Sequence, residues 1–109
     1  MANVLDKIIE DKKESLKNIK KNNSLDSLEN TIKSLKSFLN FKDTISNNKG
    51  VSLITEIKKA SPSAGELVKD FNHLNIAKMY LDNGATCLSV LTEEKHFLGK
   101  LDYIKDIKN

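Results

Sequence analysis

The sequence predicts an α/β fold with parallel strands: two helices first, then strand, helix, strand, helix. Three observations carry this. Ser52 to Lys58 (Ser-Leu-Ile-Thr-Glu-Ile-Lys) alternates with period two and is rich in β-branched residues, which is the pattern of a strand. Thr86 to Thr92 (Thr-Cys-Leu-Ser-Val-Leu-Thr) is a second strand, apolar enough to be covered on both faces as parallel strands are. Between them Leu74, Ile76, Ala77, Tyr80 and Leu81 fall at helical spacing, and strand, helical crossover, strand is the βαβ unit.

The chain begins with a helix from Val4 to about Lys20, its stripe made by Val4, Leu5, Ile8, Ile9, Leu16 and Ile19 and weakened in the middle by Lys12 and Lys13. Asn22, Asn23 and Ser24 break it. A second stripe follows at Leu25, Leu28, Ile32, Leu35 and Leu39, with Asn23 or Ser24 as its cap and Asp26 in the first turn. Packing against the domain is the simplest use of both helices, because the seam is too short for a coiled coil. Phe41 to Gly50 reads as a polar connection to the first strand. After that strand Ser61-Pro62-Ser63-Ala64-Gly65 is a turn: Pro62 fixes φ, Gly65 admits positive φ, and the serines offer hydroxyls. Leu67 to Phe71 is irregular. Asn72 caps the third helix and Asn83-Gly84 stops it. Glu93 to Gly99 forms a loop, and Leu101, Ile104 and Ile107 begin a last helix.

A length of 109 residues suits one domain, and 30% charged with 39% hydrophobic residues suits a globular chain with a modest core. The net charge of +3 comes from lysines scattered among acidic residues, and aromatics are only 6%. A nucleic-acid surface needs clustered cations and stacking rings, so none is expected, whereas a small anionic substrate fits. Cys87 is the only cysteine, which excludes an internal disulfide and a cysteine cluster for zinc. His73 and His96 are isolated, with no second ligand at metal spacing, so neither is assigned a role. The N-terminus contains no signal-peptide core, and no run approaches the ~20 apolar residues that cross a bilayer, so a cytoplasmic location without membrane attachment is expected.

The chemistry lies in the first strand. Its alternation puts Leu53, Thr55 and Ile57 on one face and Ile54, Glu56 and Lys58 on the other. A carboxylate and an amine therefore stand side by side at the strand's C-terminal end, with a serine-rich turn behind them, as at the rim of an α/β active site. From the residues alone a structural ion pair is the simpler account of Glu56 and Lys58. Ser61 and Ser63 are equally open to being turn formers, Phe97 to being a core plug, and Cys87 to being a small buried hydrophobe.

Glu56-Ile57-Lys58-Lys59-Ala60-Ser61-Pro62-Ser63-Ala64-Gly65 is followed by Asp70-Phe71, Ile76-Ala77, Tyr80, Gly84-Ala85, Ser89-Val90-Leu91-Thr92 and Phe97-x-Gly99. This series closely resembles the opening of indole-3-glycerol phosphate synthase, and Leu5-Asp6-Lys7-Ile8-Ile9 resembles the helices that family carries before its barrel. The resemblance implies the N-terminal part of a (β/α)8 barrel, with residues 1–40 as the added helices and 51–109 as the first two βα units. It implies a lyase of tryptophan biosynthesis that closes the indole ring of 1-(2-carboxyphenylamino)-1-deoxyribulose 5-phosphate, losing carbon dioxide and water without cofactor or metal. Lys58 then matches a catalytic lysine near the substrate carboxylate, and Glu56 the glutamate that orients the lysines of the site. Ser61 and Pro62 match positions beside the substrate, and Phe97 an aromatic that encloses the anthranilate ring. The physics agrees with the first pair: a lysine held by a carboxylate keeps a positive charge ready for an anionic substrate, and barrel sites collect at strand C-termini.

Length is the departure. A complete barrel needs about 250 residues, so a second catalytic lysine, the catalytic glutamate and the phosphate loops have no counterpart here. A two-stranded parallel sheet also has open edges and is marginal alone. The piece is therefore expected to be inactive by itself and prone to self-association through those edges. The alternative is a non-catalytic helical and βαβ module that binds a partner over them. A different barrel of the same pathway is disfavoured by Lys58 with Ser61-Pro62-Ser63.

Overall fold

The computed structural model describes residues 3–109, in two compact units that divide between Leu39 and Asn40. In the first unit α1 (Val4–Asn22) opens on a capping box: Asn3 accepts from the Asp6 N–H at 2.8 Å, while Asp6 accepts from the Asn3 N–H at 3.3 Å. Helix α2 (Leu25–Ser34) starts at Ser24, whose hydroxyl accepts from the Ser27 N–H at 3.1 Å. The apolar stripe of the sequence runs on to Leu39, but the helix does not. Leu35 is extended (φ −73°, ψ 130°), and the Ser34 hydroxyl donates to the Thr31 carbonyl at 2.6 Å. A hydroxyl competing for the last carbonyls loosens a helix end, and the stripe gains nothing by continuing, since Leu35, Phe38 and Leu39 stand exposed.

The second unit opens with an element the sequence does not announce. The expected polar connection contains α3 (Phe41–Ser46), one and a half turns long. Asn40 caps it, accepting from the Asp43 N–H at 2.9 Å, and the Thr44 hydroxyl donates to the Asn40 carbonyl at 2.7 Å. Six residues are too few for an apolar stripe to show, so only the cap chemistry marks it.

Strand β1 (Ile54–Ile57) pairs in parallel with β4 (Cys87–Val90), matching Ile54 to Cys87, Thr55 to Leu88, Glu56 to Ser89 and Ile57 to Val90. Both strands are shorter than their sequence patterns. The Thr86 N–H donates to the Leu53 carbonyl at 2.8 Å and the Leu91 N–H to the Ile57 carbonyl at 3.0 Å, which extends the pairing past each end. The crossover is α4 (His73–Asp82), capped by Asn72 and ended by Asn83, with Gly84 at φ 92° as the sequence requires. It packs on β1, and the Tyr80 hydroxyl donates to the Glu56 carbonyl at 2.9 Å. The serine-rich turn is a small hairpin: β2 (Ala60–Ser61) and β3 (Gly65–Glu66) flank a three-residue loop, and Gly65 takes the left-handed φ of 68° that such loops need.

Helix α5 (Asp102–Lys108) packs on α4. The Tyr103 ring stacks on His73 at 4.3 Å and lies 5.6 Å from Phe71, and His73 Nε2 meets Asp106 Oδ2 at 2.8 Å. Among the described residues Ile57, Ala60, Ala77 and Tyr103 form the buried hydrophobic core.

Candidate active site

Ile57 is 1% exposed, which fixes the pleat of β1. Its neighbours Glu56 and Lys58 must then project from the other face. They do, and Lys58 Nζ lies 3.0 Å from Glu56 Oε1. Both side chains are partly open, at 34% and 46% exposure, so the contact contributes at most about 1 kcal/mol to stability. Its interest is chemical. It fixes an ammonium at the C-terminal end of one strand, beside the C-terminal end of a parallel neighbour.

The parallel register adds a residue that the sequence patterns do not single out. Ser89 pairs with Glu56, and paired residues of a parallel sheet share a face, so its side chain lies on the face that carries Glu56 and Lys58. Only the register reveals this, and register is not written in either strand by itself.

Ser61 and Pro62 follow three and four residues after Lys58, in the hairpin. The Ser61 hydroxyl accepts from the Ala64 N–H at 3.2 Å and lies 3.4 Å from the Ser63 hydroxyl, so the serine does form the turn. Pro62 is exposed at the tip. Phe97 is half-buried, in the connection between β4 and α5, at the same end of the sheet as Lys58. Cys87 is half-buried rather than fully enclosed.

Phe97 sits in a tightly held loop. Glu93 Oε1 accepts from the Lys95 N–H at 3.0 Å, and Oε2 accepts from the N–H groups of His96 at 2.7 Å and Phe97 at 3.0 Å. Burial pushes the Glu93 carboxyl up, but the three backbone donors and the charge of His96 outweigh it and leave the pKa below its ordinary value. The sequence signal for this was a glutamate closing a strand just before a short loop. A depression lined by Glu94, Leu98, Gly99, Lys100, Leu101 and Asp102 lies farther along the same connection and includes none of the expected site residues. Among the described residues no group of three or more histidine, cysteine, aspartate or glutamate side chains is placed to hold a metal ion, and no helix is long and apolar enough to cross a membrane.

An acid and an amine on the bare face of a parallel βαβ unit, at the strand ends where the connecting loops rise, define a piece of an α/β enzyme scaffold. The family model for indole-3-glycerol phosphate synthase matches residues 5–109, and the chain belongs to that family. It is 43% identical over 105 residues to the indole-3-glycerol phosphate synthase of Desulforamulus reducens, an overlap of 96% of this chain and 40% of the relative. The synthase of Clostridium acetobutylicum is 43% identical over 106 residues, with the same two shares, and that of Dehalococcoides mccartyi strain CBDB1 is 55% identical over 58 residues. The chain thus spans about 40% of the length of the first two relatives.

Proposed function

We propose that the chain supplies the first two βα units, with the helices before them, of a (β/α)8 indole-3-glycerol phosphate synthase. Residues 1–40 are the added helices and 51–109 the opening of the barrel. The reaction is ring closure of 1-(2-carboxyphenylamino)-1-deoxyribulose 5-phosphate with loss of carbon dioxide and water. Lys58 engages the substrate near its carboxylate and offers its charge to the negative charge that develops as the ring closes. Glu56 orients that ammonium. Ser61 and Pro62 flank the substrate, and Phe97 covers the anthranilate ring. No cofactor or metal takes part, the substrate is a small carboxylate and phosphate anion, and the protein works in the cytoplasm.

The observation that carries this reading is the 3.0 Å Glu56–Lys58 pair on the face of β1 opposite the buried Ile57. The test joins residues 1–109 to the part of the Desulforamulus reducens relative that lies beyond its match, and follows turnover by the fluorescence of the indole product. The joined protein turns over, Lys58→Ala abolishes turnover, and the 109-residue chain alone gives none. Full activity of the joined Lys58→Ala protein refutes the role given to Lys58, and turnover by the chain alone refutes its expected inactivity.

A second reading, a non-catalytic module that binds a partner, is favoured by the open sheet: among the described residues β1 and β4 pair only with each other, and each leaves an edge unpaired. The same edges support self-association. Size-exclusion chromatography separates these cases, since a folded monomer at high concentration counts against both.

A further inference from the structure

We propose that Glu93 is a positioning residue, whose carboxylate organises the segment from Lys95 to Phe97 and thereby sets the Phe97 ring at the C-terminal end of the β1–β4 sheet. The proposal rests on the reading of Phe97 as the cover of an aromatic substrate. Four N–H groups converge on this one residue. Three, from Lys95, His96 and Phe97, reach its carboxylate at 2.7–3.0 Å, and the fourth, from Gly99, reaches its carbonyl at 2.8 Å. Phe97 is thus held from both sides: its own N–H is bound to Glu93, and after Leu98, at a left-handed φ of 53°, the Gly99 N–H returns to the Glu93 carbonyl.

The loop's position makes this more than a stable turn. Glu93 comes three residues after the last residue of β4, and the Leu91 N–H is bonded to the Ile57 carbonyl, one residue before Lys58. The held ring and the ammonium therefore belong to adjacent ends of neighbouring parallel strands. A carboxylate suits the task better than a neutral acceptor, because its two oxygens accept several bonds at once and charge-assisted bonds are stronger. Glu93 touches no reacting atom in this scheme. It acts through Phe97.

The experiment compares Glu93→Ala, Glu93→Gln, Phe97→Ala and the Glu93→Ala/Phe97→Ala pair in the joined protein. Glu93→Ala is expected to raise KM about tenfold with kcat nearly unchanged, the mark of lost uniform binding. Glu93→Gln, which keeps an acceptor oxygen, recovers most of that loss. With Phe97 already alanine, Glu93→Ala adds less than about twofold, because residues acting through one another are not additive. Full additivity of the two changes, or a lowered unfolding midpoint with KM unchanged, overturns the proposal. Should Glu93→Ala fail to fold, Glu93→Ser, whose short hydroxyl cannot reach all three N–H groups, makes the same comparison when paired with Phe97→Ala. An unsubstituted joined protein without turnover sinks the synthase reading and the proposal together, whereas an active one with additive substitutions sinks the proposal alone.

Discussion

Replacing Gly99 with alanine tests how tightly the Phe97 loop is closed on the sheet. Gly99 is buried, and a Cβ built on it would strike the Leu91 carbonyl oxygen while lying 2.9 Å from both the Leu91 carbonyl carbon and the Thr92 Cα. All three obstacles are backbone at the end of β4, so no side chain can swing aside. Gly99 is not one of the positive-φ glycines, and the penalty is therefore steric alone. Overpacking of this kind costs about 1–3 kcal/mol. Pushing the loop outward also breaks the 2.8 Å bond from the Gly99 N–H to the Glu93 carbonyl, worth about 0.5–1.5 kcal/mol. The sum is about 2–4 kcal/mol, which at a urea slope of about 2 kcal/mol/M lowers the midpoint by about 1–2 M. Gly50→Ala is the control: its φ is 102° but nothing lies within 4 Å of the new methyl group, so it carries only conformational strain of about 1 kcal/mol. Urea unfolding of both variants in the joined protein, followed by circular dichroism, ranks them. If Gly99→Ala unfolds at or above the Gly50→Ala midpoint, the close approach of the loop to β4 is wrong.

Three further outcomes are expected. Lys58→Ala, expected to abolish turnover, should lower the unfolding free energy of the joined protein by no more than about 1 kcal/mol, because its ion pair is partly solvated; a loss above 3 kcal/mol would make the residue structural. Tyr80→Phe keeps the ring but loses the 2.9 Å bond to the Glu56 carbonyl, and should cost about 0.5–1.5 kcal/mol in urea unfolding, with a larger value pointing to disruption beyond that one bond. Glu93 gives a pH dependence of known sign. Its carboxyl has a lower pKa folded than unfolded, so over the acid range the unfolded chain binds more protons. The stabilisation is complete above the unfolded value near 4.5 and is lost as pH falls through the lower folded value. Urea midpoints measured from neutral to acid pH should show this fall in the wild type and a flatter curve in Glu93→Gln; equal slopes would contradict the three backbone bonds.

The parts of the fold that follow from local chemistry are legible in the sequence. The start and stop of α4 are each written in one or two residues, Asn72 and Asn83-Gly84. The pleat that brings Glu56 and Lys58 together is equally local, since two residues apart on a strand is the same face wherever the strand lies. What failed depended on competition. Leu35 and Leu39 continue the stripe of α2, yet the chain leaves the helix at Ser34 because periodicity records what could be buried, not what is. The short α3 was hidden by the opposite fault, good capping without a stripe. Ser89 and Glu93 escaped because their roles depend on partners: one on the register with β1, the other on where three successive N–H groups turn.

The exposure of the site face bears directly on its chemistry. Ile54 shares that face with Glu56 and Lys58 and is 50% exposed, although an isoleucine on a parallel strand is ordinarily covered on both sides. The buried Ile57 shows that the helix-facing side of the same strand is already closed. The bare side is therefore the one that carries the charges, and water reaches them. In water a unit charge 4 Å away is worth about 1 kcal/mol, and about four times that at an effective dielectric of 20, the value typical of pairs near a protein surface. An ammonium that must stabilise charge developing on a substrate acts weakly until the solvent is displaced. The proposed inactivity of residues 1–109 alone thus has two independent causes, the groups that the proposal assigns to the rest of a barrel and the wet surroundings of Lys58. They can be separated. Covering the β1–β4 face with the barrel units of the relative, but with every ionisable side chain those units direct at the site made neutral, should leave turnover absent yet make Lys58→Ala weaken substrate binding more in that protein than in the chain alone, readable by calorimetry. An equal effect of Lys58→Ala on binding in the two proteins would mean that desolvation plays no part.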